Sequence, residues 1–85
     1  MKIKKDVLIQ KMGDTFVAYD NETSTLHEFN EIGFLILLGI EKKKSKQEII
    51  KEIVSKHKVS KNKAEGDYEE FVEILKTKDL IVGKK

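Results

Sequence analysis

Three short strand-like runs are followed only by helical patterns, and the change falls at Phe29-Asn30-Glu31-Ile32-Gly33. This order restricts the chain to a small antiparallel meander placed ahead of a helical half. Val7 to Met12 reads as the first strand. Gly13-Asp14 supplies a turn, because glycine accepts a positive φ. Thr15 to Tyr19, β-branched and aromatic, is the second strand. Asp20-Asn21-Glu22 turns the chain again, with side chains able to bond their own backbone. Ser24 to Phe29 is the third strand.

In a simple meander the second strand is central, so the third lies at an edge. The first strand carries Asp6 and Lys11, with Lys4 and Lys5 just before it. Charged residues of this kind blunt an edge against unwanted pairing. The third strand has no Lys and no Pro, and its one full charge is Glu28. Such an edge is open to an added strand, so it points to capture of an extended peptide. The plainer alternatives are a short, harmless edge or one covered by the C-terminal tail.

Asn30 suits a helix N-cap, and helix one runs from Glu31 to about Leu38. Ile32, Leu35, Ile36 and Gly39 are spaced for one buried face, and Gly39 is expected to stop the helix. This helix is apolar almost all round, which places it at the centre of the core. Ser45 and Glu48 have capping-box spacing and open helix two, about 46–57. Its apolar stripe is Ile49, Ile50, Ile53 and Val54. Ser60 caps helix three, about 61–78, with Ala64, Tyr68, Phe71, Val72 and Leu75 on one face. Helices two and three have helix-turn-helix proportions. Leu80-Ile81-Val82 is expected to pack as a short tail. The fold class is α+β: a winged helix-turn-helix, with a three-stranded antiparallel sheet followed by three helices, forming one domain over residues 1–85.

Composition narrows the function. The chain has 85 residues, 38% charged and 39% hydrophobic, which suits a foldable domain with a modest core. The absence of Cys removes disulfides, thiolate metal sites and Cys nucleophiles, and fits a reducing cytoplasm. Met1-Lys2-Ile3-Lys4-Lys5 lacks the apolar run of a secretion signal, and Ile32 to Ile40 is too short for a membrane span. The two histidines, His27 and His57, lie on different elements without carboxylates at ligand spacing, so no metal or other cofactor is expected. Neighbouring carboxylates such as Glu69-Glu70 read as a solvated helix face rather than an acid–base pair. The expectation is a binding protein, not an enzyme.

Net charge is +2, but the charge is sorted along the chain: +6 over residues 41–63 and −5 over residues 64–75. A winged helix that binds DNA is one reading. Its recognition helix would be helix three, which carries Glu65, Asp67, Glu69, Glu70 and Glu73 and would face a polyanion. Nucleic acid is therefore the disfavoured partner, although Lys42-Lys43-Lys44 and helix two could touch phosphates. Peptide capture asks only that helix three wall a groove beside the sheet edge. In helical projection Phe71 and Leu75 lie near the centre of the apolar stripe, whereas Ile74 falls on a flank with Lys63, Asp67, Glu70 and Lys78. That flank is either an ordinary core margin or an apolar groove floor with charged rims.

Leu26-x-x-Phe29-Asn30-Glu31-x-Gly33 entering an apolar helix, then Ser45-x-x-Glu48-Ile49-Ile50, then Asp79-Leu80-Ile81-Val82 after the last helix, resembles the PqqD-like family. These are recognition elements for ribosomally made, post-translationally modified peptides. The family pattern has Leu-Asn where this chain has Phe29-Asn30. The resemblance implies a winged-helix fold that binds the leader segment of a precursor peptide, antiparallel to the third strand and against the third helix. On this chain it implies Thr25, Leu26, His27 and Glu28 for the backbone ladder, Phe71 and Ile74 for the apolar wall, and Lys63, Asp67 and Lys78 for the rim. It further implies an adaptor that presents the precursor to a modifying enzyme: a radical-SAM enzyme, a cyclase or a protease. An open edge can also pair with its own copy, so a monomer and an edge-paired dimer are both compatible with the sequence.

Overall fold

A computed structural model describes residues 2–82. The chain forms β1 (Lys2–Ile3), β2 (Val7–Met12), β3 (Thr15–Asp20), β4 (Thr25–Phe29), α1 (Glu31–Glu41), α2 (Lys46–His57), α3 (Lys61–Thr77) and β5 (Ile81–Val82). β2, β3 and β4 make an antiparallel meander with β3 in the centre. The α+β architecture read from the sequence is therefore present, with the expected third strand appearing as β4.

The register sorts the side chains of the sheet. Ile9, Ala18 and His27 lie in one cross-strand row, and Phe16 opposes Phe29 on the same face. That face meets the helices: Ala18 is fully buried and Phe16 packs on Phe34 of α1 with tilted rings, their centroids 4.8 Å apart. Leu8, Tyr19 and Leu26 form a row on the opposite face, where Leu8 and Leu26 are exposed. Alternation along each strand, with a period of two, produces this division.

The helix starts follow the capping residues. Asn30 Oδ1 accepts from the Gly33 N–H at 2.7 Å. Ser45 Oγ accepts from Glu48 N–H at 3.1 Å, while Glu48 Oε1 accepts from Ser45 N–H at 2.9 Å, completing a capping box. Ser60 Oγ accepts from Lys63 N–H. Ile36, Leu37, Ile49, Ile50, Ile53, Ala64, Leu75 and Leu80 form the interior, with α1 packed on both other helices and on the sheet.

Four local expectations need correction. Gly39 does not stop α1: the helix continues to Glu41, with Lys42 as its C-cap. Gly39 is instead a contact point, because a methyl group there would sit 2.6 Å from Ile49 Cγ1. Ser24 belongs to the turn, since its φ of +55° breaks the extended backbone before Thr25. Leu80-Ile81-Val82 is more than a packed tail: Ile81 and Val82 pair with Ile3 and Lys2 in a separate two-stranded sheet, so the tail does not cover β4. Phe71 is not at the centre of the α3 stripe; it is half-buried, while Ala64, Tyr68, Val72 and Leu75 are buried.

Lys4, just after β1, ties the far ends of the chain together. Its ammonium lies 3.0 Å from Asp20 Oδ2, 3.0 Å from Glu22 Oε1 and 3.4 Å from Asp79 Oδ2. Its backbone N–H donates to the Leu80 carbonyl at 2.8 Å. Asp20 is 2% exposed, and its other oxygen accepts from the backbone N–H groups of Glu22 and Thr23. One carboxylate thus holds the β3–β4 turn and receives the N-terminal lysine. Lys4 lowers the Asp20 pKa below its ordinary value, helped by the two turn N–H groups and opposed by burial. The same bond raises the pKa of Lys4.

Candidate peptide groove

β4 pairs with β3 on one side, and no strand among the described residues pairs with it on the other. Alternate residues of a strand point to opposite faces, so His27 and Phe29 turn toward the helices while Leu26 and Glu28 turn away. Leu26, 54% exposed, and Glu28 therefore lie on the sheet face turned away from α3 and do not line a groove against it. Thr25 is exposed at the start of β4.

Phe29 meets α3 through Phe71, with ring centroids 5.3 Å apart and planes at 75°. The same Phe71 ring lies over the first turn of α1, where Gly33 leaves space for it. This fixes which flank of α3 borders β4. In projection Asp67, Ile74 and Lys78 lie on the far side of Phe71 from the buried stripe. The opposite flank, with Tyr68 and Glu69, belongs to α2: Lys46 bonds to Glu69 and its ammonium lies 5.6 Å from the centroid of the Tyr68 ring. A groove near Val72 and Lys76 would lie on the side of α3 turned away from the sheet edge.

Along the α3 flank, Lys63 donates to Asp67 Oδ1 at 2.9 Å. Asp67 Oδ2 is enclosed and has no hydrogen-bond partner among the described residues. Ile74 is 40% exposed, unlike fully buried Leu75 beside it. Lys78 is the exposed C-cap of α3 and forms no ion pair among the described residues. Burial pushes the His27 imidazole below its ordinary pKa, and the Lys78 charge adds to that shift against a smaller opposing effect of Asp20. Asp79, next to Lys78, shares the Lys4 ammonium with Asp20, which pairs with Thr25, so the end of α3 lies toward the start of β4, as Phe71 places its middle at Phe29.

The sequence shows Phe29 only as the end of the third strand, whereas in the fold it packs against Phe71 at the candidate groove. Its parity with His27 was the available signal, since both share a face of the strand. A concavity of about 400 Å³ opens between α2 and the start of α3, lined by Gln47, Ile50, Lys51, Val54 and Lys61, but it adjoins no strand edge. No group of three His, Cys, Asp or Glu side chains suited to a metal ion exists among the described residues. Among them, no helix is long and apolar enough to cross a membrane.

Comparison with known proteins gives a consistent likeness. The family model for coenzyme PQQ synthesis protein D (PqqD) matches residues 15–81. A structure of TbiB1 in complex with the TbiA(beta) leader peptide is 27% identical, with a TM-score of 0.88, and the match covers 100% of this chain and 99% of that one. A lasso peptide synthetase B1 complexed with the leader peptide has a TM-score of 0.85 at 17% identity, covering 96% of each chain, a likeness of fold alone. No match was found among the curated proteins.

Proposed function

The chain belongs to the PqqD family, and on that premise we propose that it binds the leader segment of a ribosomally made precursor peptide as an added strand on β4. The observation that carries this reading is the free edge of β4 beside the α3 flank, with Phe71 against Phe29 setting the distance between them. Along Thr25, Leu26, His27 and Glu28, alternate residues direct their backbone N–H and C=O groups to the open edge, and the hydrogen bonds an extended peptide gains there supply affinity without regard to sequence. Its alternate side chains enter the groove against Phe71 and Ile74, which supplies selectivity. Lys63, Asp67 and Lys78 form the charged rim. The solved TbiB1 structure with a leader peptide supports the same use of this fold.

Binding of this kind performs no chemistry. The protein acts as an adaptor in the cytoplasm, holding the leader while a separate radical-SAM enzyme, cyclase or protease works on the rest of the precursor. β4 can also pair with β4 of a second copy, in which case peptide and self-association compete for one edge.

The test is amide hydrogen exchange with short peptides selected from a displayed random library. Bound peptide should slow exchange in β4 and leave β2, the opposite edge, unchanged. Protection confined to β2, or to the α2 surface, would place the site elsewhere.

A further inference from the structure

We infer that the groove reads the order of charge along the bound peptide: a basic residue first, two apolar residues next, and an acidic residue last. The inference rests on the leader-binding reading and adds the chemistry of the side chains accepted. Its basis is the distribution of charge along one flank of α3.

Asp67 stands at one end. One of its oxygens is occupied by Lys63, and the other is enclosed and lacks a donor. Glu70 is exposed one turn further along. This end therefore carries two carboxylates, Asp67 and Glu70, against the single ammonium of Lys63, an excess of negative charge. Lys78 stands at the other end, exposed and without an ion pair among the described residues. The adjacent Asp79 turns instead toward Lys4, at 3.4 Å. Phe71 and Ile74 lie between the two ends.

The direction of α3 relative to β4 gives the order its meaning. Phe71 touches Phe29, at the end of β4, while Asp79, next to Lys78, shares the Lys4 ammonium with Asp20, which pairs with Thr25 at the start of β4. α3 thus runs opposite to β4. A strand added antiparallel, the slightly more stable pairing and the one that continues the meander, runs in the same direction as α3. Its N-terminal part lies by Asp67 and its C-terminal part by Lys78.

The repeat lengths agree. From Asp67 to Phe71 to Ile74 to Lys78 the helix rises by about 6, 4.5 and 6 Å. Alternate residues of an extended strand are about 6.6–6.8 Å apart. Four groove-facing side chains at positions i, i+2, i+4 and i+6 can therefore meet Asp67, Phe71, Ile74 and Lys78 in turn, with an accumulated drift of only about 3–4 Å. The first of the four lies beyond Phe29, over the start of α1.

Two acetylated, amidated probes test this: Arg-Thr-Ile-Thr-Leu-Thr-Glu and its charge-reversed form Glu-Thr-Ile-Thr-Leu-Thr-Arg, titrated by amide chemical shift against the full chain. The first is expected to bind about fivefold or more tightly at low salt, because two exposed ion pairs replace two repulsions, and the gap should narrow as salt rises. The double variant Asp67→Lys, Lys78→Glu should reverse the preference, an outcome that loss of structure cannot produce. Equal affinities, or a preference unchanged by the double variant, would overturn the charge order while leaving leader binding in place. Binding of library-selected peptides to β4 without binding of either probe would also overturn it. If neither the probes nor the selected peptides bind at β4, the leader-binding reading falls as well.

Discussion

Phe71 of α3 meets Phe29 of β4 edge to face, with ring centroids 5.3 Å apart. Phe29 ends the edge strand, and the next residue, Asn30, caps α1 through the Gly33 N–H. Gly33 in turn lies beneath the Phe71 ring. These contacts close a loop from strand to cap to α1 to α3. They fix the angle at which α3 stands beside the open edge, and so the width of the groove.

Gly33→Ala tests that loop. A methyl group at Gly33 would lie 2.5 Å from Phe71 Cε1 and 3.1 Å from Asn30 Oδ1. The ring must move, and the motion it has available is outward, into the groove. Overpacking of this kind costs about 1–3 kcal/mol. Peptide affinity should fall with stability, and the Phe71→Leu background should relieve much of both losses. Urea melts and peptide titrations on the single and double variants measure this; additive losses would show that Gly33 and Phe71 are not coupled.

Ile74 and Leu75 make a paired test of groove against core. Leu75 is fully buried and Ile74 is 40% exposed. Leu75→Ala should cost about 2–5 kcal/mol of stability, the usual result of emptying a core site. Ile74→Ala should cost much less stability but weaken peptide binding. Should it destabilise the fold as much as Leu75→Ala, or leave affinity untouched, Ile74 is an ordinary margin residue.

What was legible in the chain was local. The turns at Gly13 and after Asp20, the caps at Asn30, Ser45 and Ser60, and the apolar stripes of α2 and α3 all declare themselves within a few residues. β1 and β5 do not, because two residues carry no periodicity and their pairing joins the two ends of the chain. Lys4 read as a charge blunting an edge, yet it is 12% exposed among three carboxylates brought together only by folding. Gly39 read as a helix stop because sequence shows the missing side chain but not the Ile49 packed against it. Helical projection likewise separated Ile74 from Leu75 but could not say which flank of α3 borders the sheet. The Phe29–Phe71 contact supplies that, and it involves the position where this chain departs from the usual Leu-Asn.

Proline substitution in β4 should separate fold from binding. In an antiparallel pair, alternate residues direct their N–H groups inward to the partner strand or outward. Leu26 and His27 are adjacent, so one faces β3 and the other faces the open edge. Proline removes the donor at either position. One variant should lose stability. The other should keep its melting curve and lose peptide binding about tenfold or more, equivalent to about 1.4 kcal/mol. Normal binding by two folded variants would rule out strand addition at β4.

Asp20 and Lys4 predict a pH dependence. The folded chain holds the Asp20 carboxyl below its ordinary pKa, chiefly through Lys4. As pH falls, the unfolded chain takes up this proton first, so the stability contributed by Asp20 is present above about pH 4 and is lost progressively below it. Lys4 is raised, so its contribution is present at neutral pH and is lost as pH climbs past about 10.5. Asp20→Asn keeps an oxygen for the turn N–H groups but removes the charge. Its melting temperature should be lower than that of the parent at pH 7. The deficit should shrink toward pH 2, where the parent has lost the same interaction. Glu52, held below its ordinary value mainly by Lys44, preserves some acid sensitivity in both proteins. Melting curves collected from pH 2 to 7 decide the matter: two parallel profiles would mean that the Lys4–Asp20 pair contributes nothing to the stability of the β3–β4 turn, and that the edge strand is positioned by the sheet and α1 alone.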